Sequence, residues 1–300
     1  WKTTSDLEYR DKAVNCLEWL MRYKSPKYED YSWANHFAFA GRTGSYEKHE
    51  SIIVWTAIIA HAFLDAYVLL GESKYLDVAR SACNWIMHLP RERTKSGSCI
   101  SYYAIGISSI HNSNMLGASI LARAAKYTGE SSWQNVAREA MEYSCSRQRP
   151  DGSWFYGEAS NQHWIDNFHT GYNLDSLKCY MESTGDRTYE THLKRGLAFY
   201  KNHFFEESGR PRYYHTRTYP VDSQCIAQAI ETLSNFAIED QAFLNLAERV
   251  AMWAIDNMQD EKGYFYYRQY PLNIKAKTPM LHWAQTTTYK GLALLLFRLL

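Results

Sequence analysis

The chain has almost no net charge: 33 Lys and Arg stand against 32 Asp and Glu in 300 residues, a formal balance of +1. A global field that would gather nucleic acid or an anionic bilayer is therefore missing. Metal-type cysteine spacing is missing too. The six cysteines, Cys16, Cys83, Cys99, Cys145, Cys179 and Cys225, form no CxxC pair and no Cys/His ligand spacing. Most fall inside helix patterns and read as reduced core residues, so the expected home is the cytoplasm. The chain opens at Trp1, so removal of an upstream export signal is the alternative. No membrane span is expected either. The longest apolar stretch, SIIVWTAIIAHAFLDAYVLLG, carries His61 and Asp65 and reads as a buried helix.

Aromatic residues, by contrast, are abundant. They make up 15% of the chain, with 24 tyrosines. Part of this is core, and the surplus suits a cleft that stacks flat ligands or sugar rings.

The order of the chain is repetitive. LLGESKYLDVAR (69–80), YTGESSWQNVAR (127–138) and STGDRTYETHLK (183–194) are one phrase, and FAIEDQAFLNLAER (236–249) is a worn copy. Each reads as a turn between helices. Gly71, Gly129 or Gly185 ends one helix in the left-handed conformation, and Ser73, Ser131 or Asp186 caps the next. A second phrase, a glycine turn followed by aromatics, recurs in SRQRPDGSWFYG (146–157), DNMQDEKGYFYYR (256–268) and, more loosely, EESGRPRYYH (206–215) and TKSGSCISYY (94–103).

These phrases divide the chain into five helical hairpins: 6–24 with 49–70, 74–88 with 111–128, 132–147 with 166–184, 189–204 with 221–237, and 241–258 with 279–299. The first helix of each pair is charged along one face. The second is apolar nearly all round and so is buried. The expected fold is all-α, a single α/α toroid over residues 1–300 of about five hairpins, or six with one missing or irregular, with the second helices inside. An open solenoid is the alternative.

In such a ring the inner helices begin at one mouth. Their starts read KHES, HNSN, DNFHTG, VDSQ and LHWAQ. Four contain histidine, namely His49, His111, His169 and His282, and the fifth contains Asp222. Ser, Asn and Asp here are readily explained as caps for orphan N–H groups. Histidine is a poor cap, and its recurrence points to a shared cavity. Helix N-termini favour an anionic ligand there and hold histidine neutral, fit to act as a base.

Two chemistries remain open. Carboxylates at Glu50, Asp166 and Asp222 suit glycoside hydrolysis, which needs an acid and a carboxylate either side of the bond. His111, His169 and Tyr219, with Asn112 and Arg217, suit β-elimination next to a uronate. The number of carboxylates favours hydrolysis. The candidate substrate-binding residues are His49, Asn112, Asn114, Trp33, Trp154, Arg217, Arg268, His282, Trp283 and Gln285. Arg42 and Lys48 lie in loops near the same mouth. Asp166 and His169 stand one turn apart in a geometry open to zinc, but further ligands are missing, so neither metal nor cofactor is expected.

NHFAFAGRTGSYEKHES, HNSNMLGASILARAAKYTGE, QRPDGSWFYGE, WIDNFHTGYNLDSL and LHWAQTTTYKGLALLL together resemble the α/α-toroid superfamily of polysaccharide lyases, six-hairpin glycosidases and sugar epimerases. They look most like the toroid proteins of bacterial exopolysaccharide biosynthesis. The resemblance implies an enzyme acting on a bacterial, acidic polysaccharide or oligosaccharide, with a glycan as its partner. A glycan- or partner-binding subunit without catalysis is the alternative. QRPDGSWFYG also resembles the repeat of terpenoid cyclases and prenyltransferase β subunits, but no DxDD acid motif or Asp/Cys/His zinc set accompanies it. Oligomeric state is not legible.

Overall fold

A computed structural model describes residues 1–41 and 44–300, so Arg42 lies outside the described residues. Its ten long helices follow the expected hairpins closely: α1 Leu7–Arg22, α2 Ile53–Leu70, α3 Ser73–His88, α4 His111–Thr128, α5 Ser131–Cys145, α6 Asn167–Thr184, α7 Glu190–His203, α8 Ser223–Phe236, α9 Gln241–Met258 and α10 Thr286–Leu299. A π-helical turn, Leu281–Gln285, leads into α10. Helix α4 packs against both α2 and α6, α6 against α8, and α8 against α10, while α3, α5, α7 and α9 each lie on the inner helix before them. This is the α/α toroid. Helix α2 is long and apolar enough to cross a bilayer, but it is one stave of this ring, packed on α3 and α4.

Gly71, Gly129 and Gly185 close α2, α4 and α6 at φ of 75°, 76° and 75°, the left-handed caps expected of them. The next helices are not capped as expected. Glu72 and Glu130 are the N-cap residues of α3 and α5, and neither makes a side-chain cap bond. The glycine turn is so tight that Ser73 and Ser131 are already helical. Asp186 instead ties its own turn by accepting from Thr188 N at 2.9 Å and Oγ1 at 2.6 Å.

The second phrase forms the turns within hairpins, between the outer and the inner helix. Gly97, Gly152 and Gly209 have φ near +90° and press on the next outer helix. A Cβ there would stand 2.2 Å from Glu139 O on α5, 2.4 Å from Arg195 O on α7 and 2.4 Å from Arg249 O on α9. Gly263, the fourth, shares the conformation but has nothing within 4 Å among the described residues.

The aromatic residues after each glycine complete the preceding unit. The first N–H of α2 donates to Tyr102 O at 3.0 Å, that of α4 to Tyr156 O at 3.0 Å, that of α6 to Tyr213 O at 2.9 Å and that of α8 to Tyr267 O at 3.0 Å. An orphan donor at the start of each inner helix is thus satisfied by the loop of the following hairpin. Short β-bridges accompany the clasps, Ile52 with Tyr103, Ile110 with Gly157 and Asp166 with Tyr214. At α8 they extend into a small sheet of β5 Val221–Asp222, β6 Arg268–Gln269 and β7 Lys275–Ala276. Two further hairpins, β1 Phe39–Gly41 with β2 Gly44–Tyr46 and β3 Arg91–Thr94 with β4 Gly97–Ile100, lie in earlier loops.

Inner helices that are apolar all round describe α2 but not α4 or α6. Helix α4 begins with four buried polar residues, His111, Asn112, Ser113 and Asn114. Helix α6 turns Tyr172, Asp175 and Cys179 towards a cavity within the ring. A ring has a lumen, and the stripe facing it need not be apolar.

Candidate functional site

The mouth is organised around the start of α6. Asp166 is its N-cap: Oδ1 accepts the His169 backbone N–H at 3.0 Å. Its other oxygen, Oδ2, lies 2.7 Å from His169 Nδ1 and accepts Trp164 Nε1–H at 2.9 Å. A carboxylate only accepts, so Nδ1 carries a proton, and in the neutral form of the ring Nε2 presents a lone pair. Among the described residues Nε2 has no hydrogen-bond partner, and the His169 side chain is 20% exposed while that of Asp166 is fully buried. The imidazole is held from the sides. Tyr156 lies 4.5 Å from it, stacked in turn on Trp164 at 4.5 Å, and Phe168 lies 4.0 Å away.

A second pair stands beside the first at the start of α8. Asp222 caps that helix through Gln224 N at 2.8 Å and accepts from Arg268 Nε at 2.5 Å. Burial pushes the Asp222 carboxyl up and Arg268 opposes the shift, with Asp166 adding to the rise. Tyr213 joins the two pairs. Its ring is 5.9 Å from Phe168 and 5.9 Å from the Arg268 guanidinium, and burial with both aspartates nearby holds its phenol well above its usual range. Asp166 and Asp222 also occupy the two helix N-termini that an anionic ligand would otherwise use, and so offset those dipoles themselves.

The other candidates lie outside these two pairs. Glu50 is 2% exposed, ion-paired with Lys27 and accepting from Tyr28 Oη at 2.8 Å. His111 is 1% exposed and faces the outer helix: Nδ1 is 3.1 Å from Ser144 Oγ on α5, and Nε2 is 2.8 Å from Glu158 Oε1. Asn114 is buried, accepting from Ile100 N at 2.8 Å and donating to Ala140 O at 2.7 Å. Asn112 is buried, and its Oδ1 has no hydrogen-bond partner among the described residues. Trp33 stacks on Phe63 at 5.8 Å and donates to Leu20 O. Trp154 donates to Ser144 O at 2.8 Å, and both tryptophans are core. Gln285 clamps the Phe265 backbone with two bonds, 2.8 and 2.7 Å. Tyr219 Oη accepts from Arg210 at 3.1 Å. Arg217 is exposed. His49, at φ 67°, lies edge-on to His36 at 5.3 Å, and partial burial and Lys48 lower its pKa. His282 stacks on Trp283 at 4.2 Å and lies 6.2 Å from Trp55 on α2.

His111 therefore acts as a strut between two elements. Its ring holds Glu158 below the ordinary carboxylate range, with Arg147 adding to the effect. A depressed carboxyl stabilises the fold above its unfolded pKa and loses that contribution as pH falls through its folded value. His111→Ala is expected to cost about 2 kcal/mol, as loss of a buried hydrogen-bonded side chain does. It should also flatten the loss of stability on acidification below about pH 5. Denaturant melts of both proteins across pH check this, and a variant as stable as wild type would show the ring is no strut.

No protein-family model matches the chain, and no curated protein matches it. Solved structures do match. The chain is similar to cellobiose 2-epimerase from Spirochaeta thermophila, at TM-score 0.74 and 12% identity over 98% of this chain and 81% of that one. It is similar to a D-mannose isomerase, at TM-score 0.71 and 14% identity over 99% and 83%. It is also similar to a GH76 α-mannanase from Bacteroides thetaiotaomicron, at TM-score 0.68 and 14% identity over 99% and 80%. The fold is that of the α/α-toroid enzymes, and at these identities the likeness carries the fold alone.

Proposed function

We propose that this chain is a carbohydrate-active enzyme in which His169, oriented by Asp166, moves a proton at a sugar carbon. The observation that carries the reading is the bond from His169 Nδ1 to buried Asp166, which leaves Nε2 at the mouth without a hydrogen-bond partner among the described residues. This is the arrangement of a general base: a fixed tautomer, a fixed ring and a bare nitrogen. Epimerisation, isomerisation and β-elimination share such a step, abstraction of a carbon-bound proton next to a carbonyl or carboxyl group. The adjacent Asp222–Arg268 pair and the Tyr213 phenol supply hydrogen-bonding groups for the sugar, and Tyr156, Trp164 and Phe168 supply its apolar wall. Solved toroids of similar shape include enzymes named for sugar epimerisation and isomerisation.

Two-carboxylate hydrolysis, which the sequence favours, fits this mouth less well. It needs one acid and one carboxylate facing the bond. Glu50 and Asp222 are engaged by Lys27 and Arg268, and Asp166 is engaged by its own helix and His169. The deciding experiment is turnover in D2O with a panel of neutral and uronate-bearing oligosaccharides, read by NMR and mass spectrometry. Epimerisation or isomerisation places deuterium from the solvent on a carbon of the product, and β-elimination leaves an unsaturated end with no water added. Chain cleavage with addition of water and no carbon-bound deuterium would overturn the reading in favour of hydrolysis.

A further inference from the structure

The staves of the ring enclose a second cavity, reached from the end opposite the mouth. It measures about 620 Å³ and is lined by the middle and last turns of α2, α4, α6, α8 and α10. Ile58, Leu116 and Tyr172 lie nearest the mouth, so the cavity starts about one turn below His169. Four carboxylates and four basic side chains line it, a formal balance of zero. Nothing in the proton-transfer chemistry of the mouth uses them.

Three features make this a built site. Asp175 is held by neutral donors alone: Gln228 Nε2 at 2.8 Å, Thr232 Oγ1 at 2.8 Å and Asn235 Nδ2 at 3.0 Å. Beside it Lys290 pairs with Glu231 at 2.6 Å, and across the lumen Arg123 reaches His61 Nδ1 at 3.2 Å and pairs with Asp65. Ser176, 2% exposed, lines the same cavity, and its hydroxyl has no hydrogen-bond partner among the described residues. A buried hydroxyl in a native protein is rarely left so unless something else completes it.

We infer that this lumen is a second binding site, for a neutral polyhydroxylated ligand of mono- or disaccharide size. Acceptors and donors alternate around a wall with no excess charge, which suits neither a simple anion nor a simple cation. A hydroxyl both donates and accepts, so a ring of hydroxyls can bridge Asp175 and Lys290 and reach Ser176. Burial, with Glu231 close by, pushes Asp175 up to about 7, so near neutrality this group too can donate as well as accept. The Tyr172 ring gives a sugar face something to rest on. The volume lies within the range of small-molecule pockets. The choice of a sugar as ligand rests on the carbohydrate reading of the mouth, whereas the site does not use the mouth's residues.

Cys179 gives a local probe. It lines this cavity, while Cys16, the exposed cysteine, lines none of it. The experiment is labelling of the whole chain with methyl methanethiosulfonate in mildly alkaline buffer, read peptide by peptide by mass spectrometry. Glucose, mannose, N-acetylglucosamine and cellobiose are each titrated in. At least one of these sugars is expected to slow labelling of Cys179 and leave Cys16 unchanged. Ser176→Ala removes only that hydroxyl, so the fold is retained, and the sugar concentration for half-protection should rise about fivefold for one lost hydrogen bond. Glu231→Gln should raise it about tenfold or more by the loss of a charged partner. His169→Ala should leave protection as it was. Should none of the four sugars protect Cys179, the inference is overturned. It is also overturned if protection disappears in His169→Ala and persists in both lumen variants, since the sugar then acts from the mouth. Protection in a protein that shows no turnover in D2O would keep the lumen site and remove the proposed mouth chemistry.

Discussion

His169→Ala should lower kcat by about 10²–10⁴, the range that a positioned general base contributes, and should cost about 1–3 kcal/mol of stability for the lost bond to a charged group. The ring is 20% exposed, packs between Tyr156 and Phe168 and bonds to Asp166, so its removal loses packing and leaves a buried carboxylate one partner short. His169→Gln should be as inactive as the alanine variant, because an amide fills much of the space without offering a base. Asp166→Asn is expected to lose activity for another reason. An amide can turn its NH2 towards Nδ1 and select the wrong tautomer, with the proton then on Nε2. That variant also replaces a charged cap and should cost about 1 kcal/mol of stability. A steady-state assay with the substrate found in D2O, paired with thermal melts, separates the cases. Full activity in His169→Ala would remove the base from the site.

The largest expected effect on stability lies far from the mouth. Gly152→Ala combines two penalties. The residue sits at φ 94°, a conformation that costs an L-residue about 1–2 kcal/mol. The new Cβ would also stand 2.4 Å from Arg195 O and 2.8 Å from its carbonyl carbon, so α7 must move away from the turn. Overpacking of that kind costs about 1–3 kcal/mol, which places the total near 3–4 kcal/mol. Gly263→Ala is the internal control. It has the same strain, at φ 89°, and open space around it, so about 1–2 kcal/mol is expected. Equal losses in the two variants by urea denaturation would show that conformation alone, and not contact with the outer helix, fixes glycine in the phrase.

The glycines also show what a sequence can and cannot disclose here. Their spacing gave away the hairpins, because a left-handed cap and a tight turn are local demands met by one residue type. The inner and outer roles followed from periodicity for the same reason. Partners were a different matter. HNSN looks alike whether His111 turns to the mouth or to α5, and what turns it outward is Ser144 on another helix and Glu158 in a loop. Glu50 read as a candidate acid because Lys27 and Tyr28 are remote in sequence. Asp166 and His169 could be paired from sequence, since they lie three residues apart at a helix start, a spacing that is also open to zinc but lacks further ligands. Asp175 carried a legible signal that went unread: it follows Phe168 and Tyr172 at helical spacing on one stripe, a polar residue at a phase where a solid core would place an apolar one.

The tyrosine-loop clasps give the ring a direction in time as well as in space. Each inner helix from α2 to α8 has its first N–H satisfied by a carbonyl 44 to 49 residues further along the chain. A ribosome therefore makes every one of these helices before it makes the group that finishes it. On emergence, each unit must wait with a raw end until the following loop has been made, and acquires its own end only by lending its loop backwards. Folding during synthesis then trails translation by one hairpin throughout, and a pause in translation leaves the most recent helix start, and none of the earlier ones, open to water.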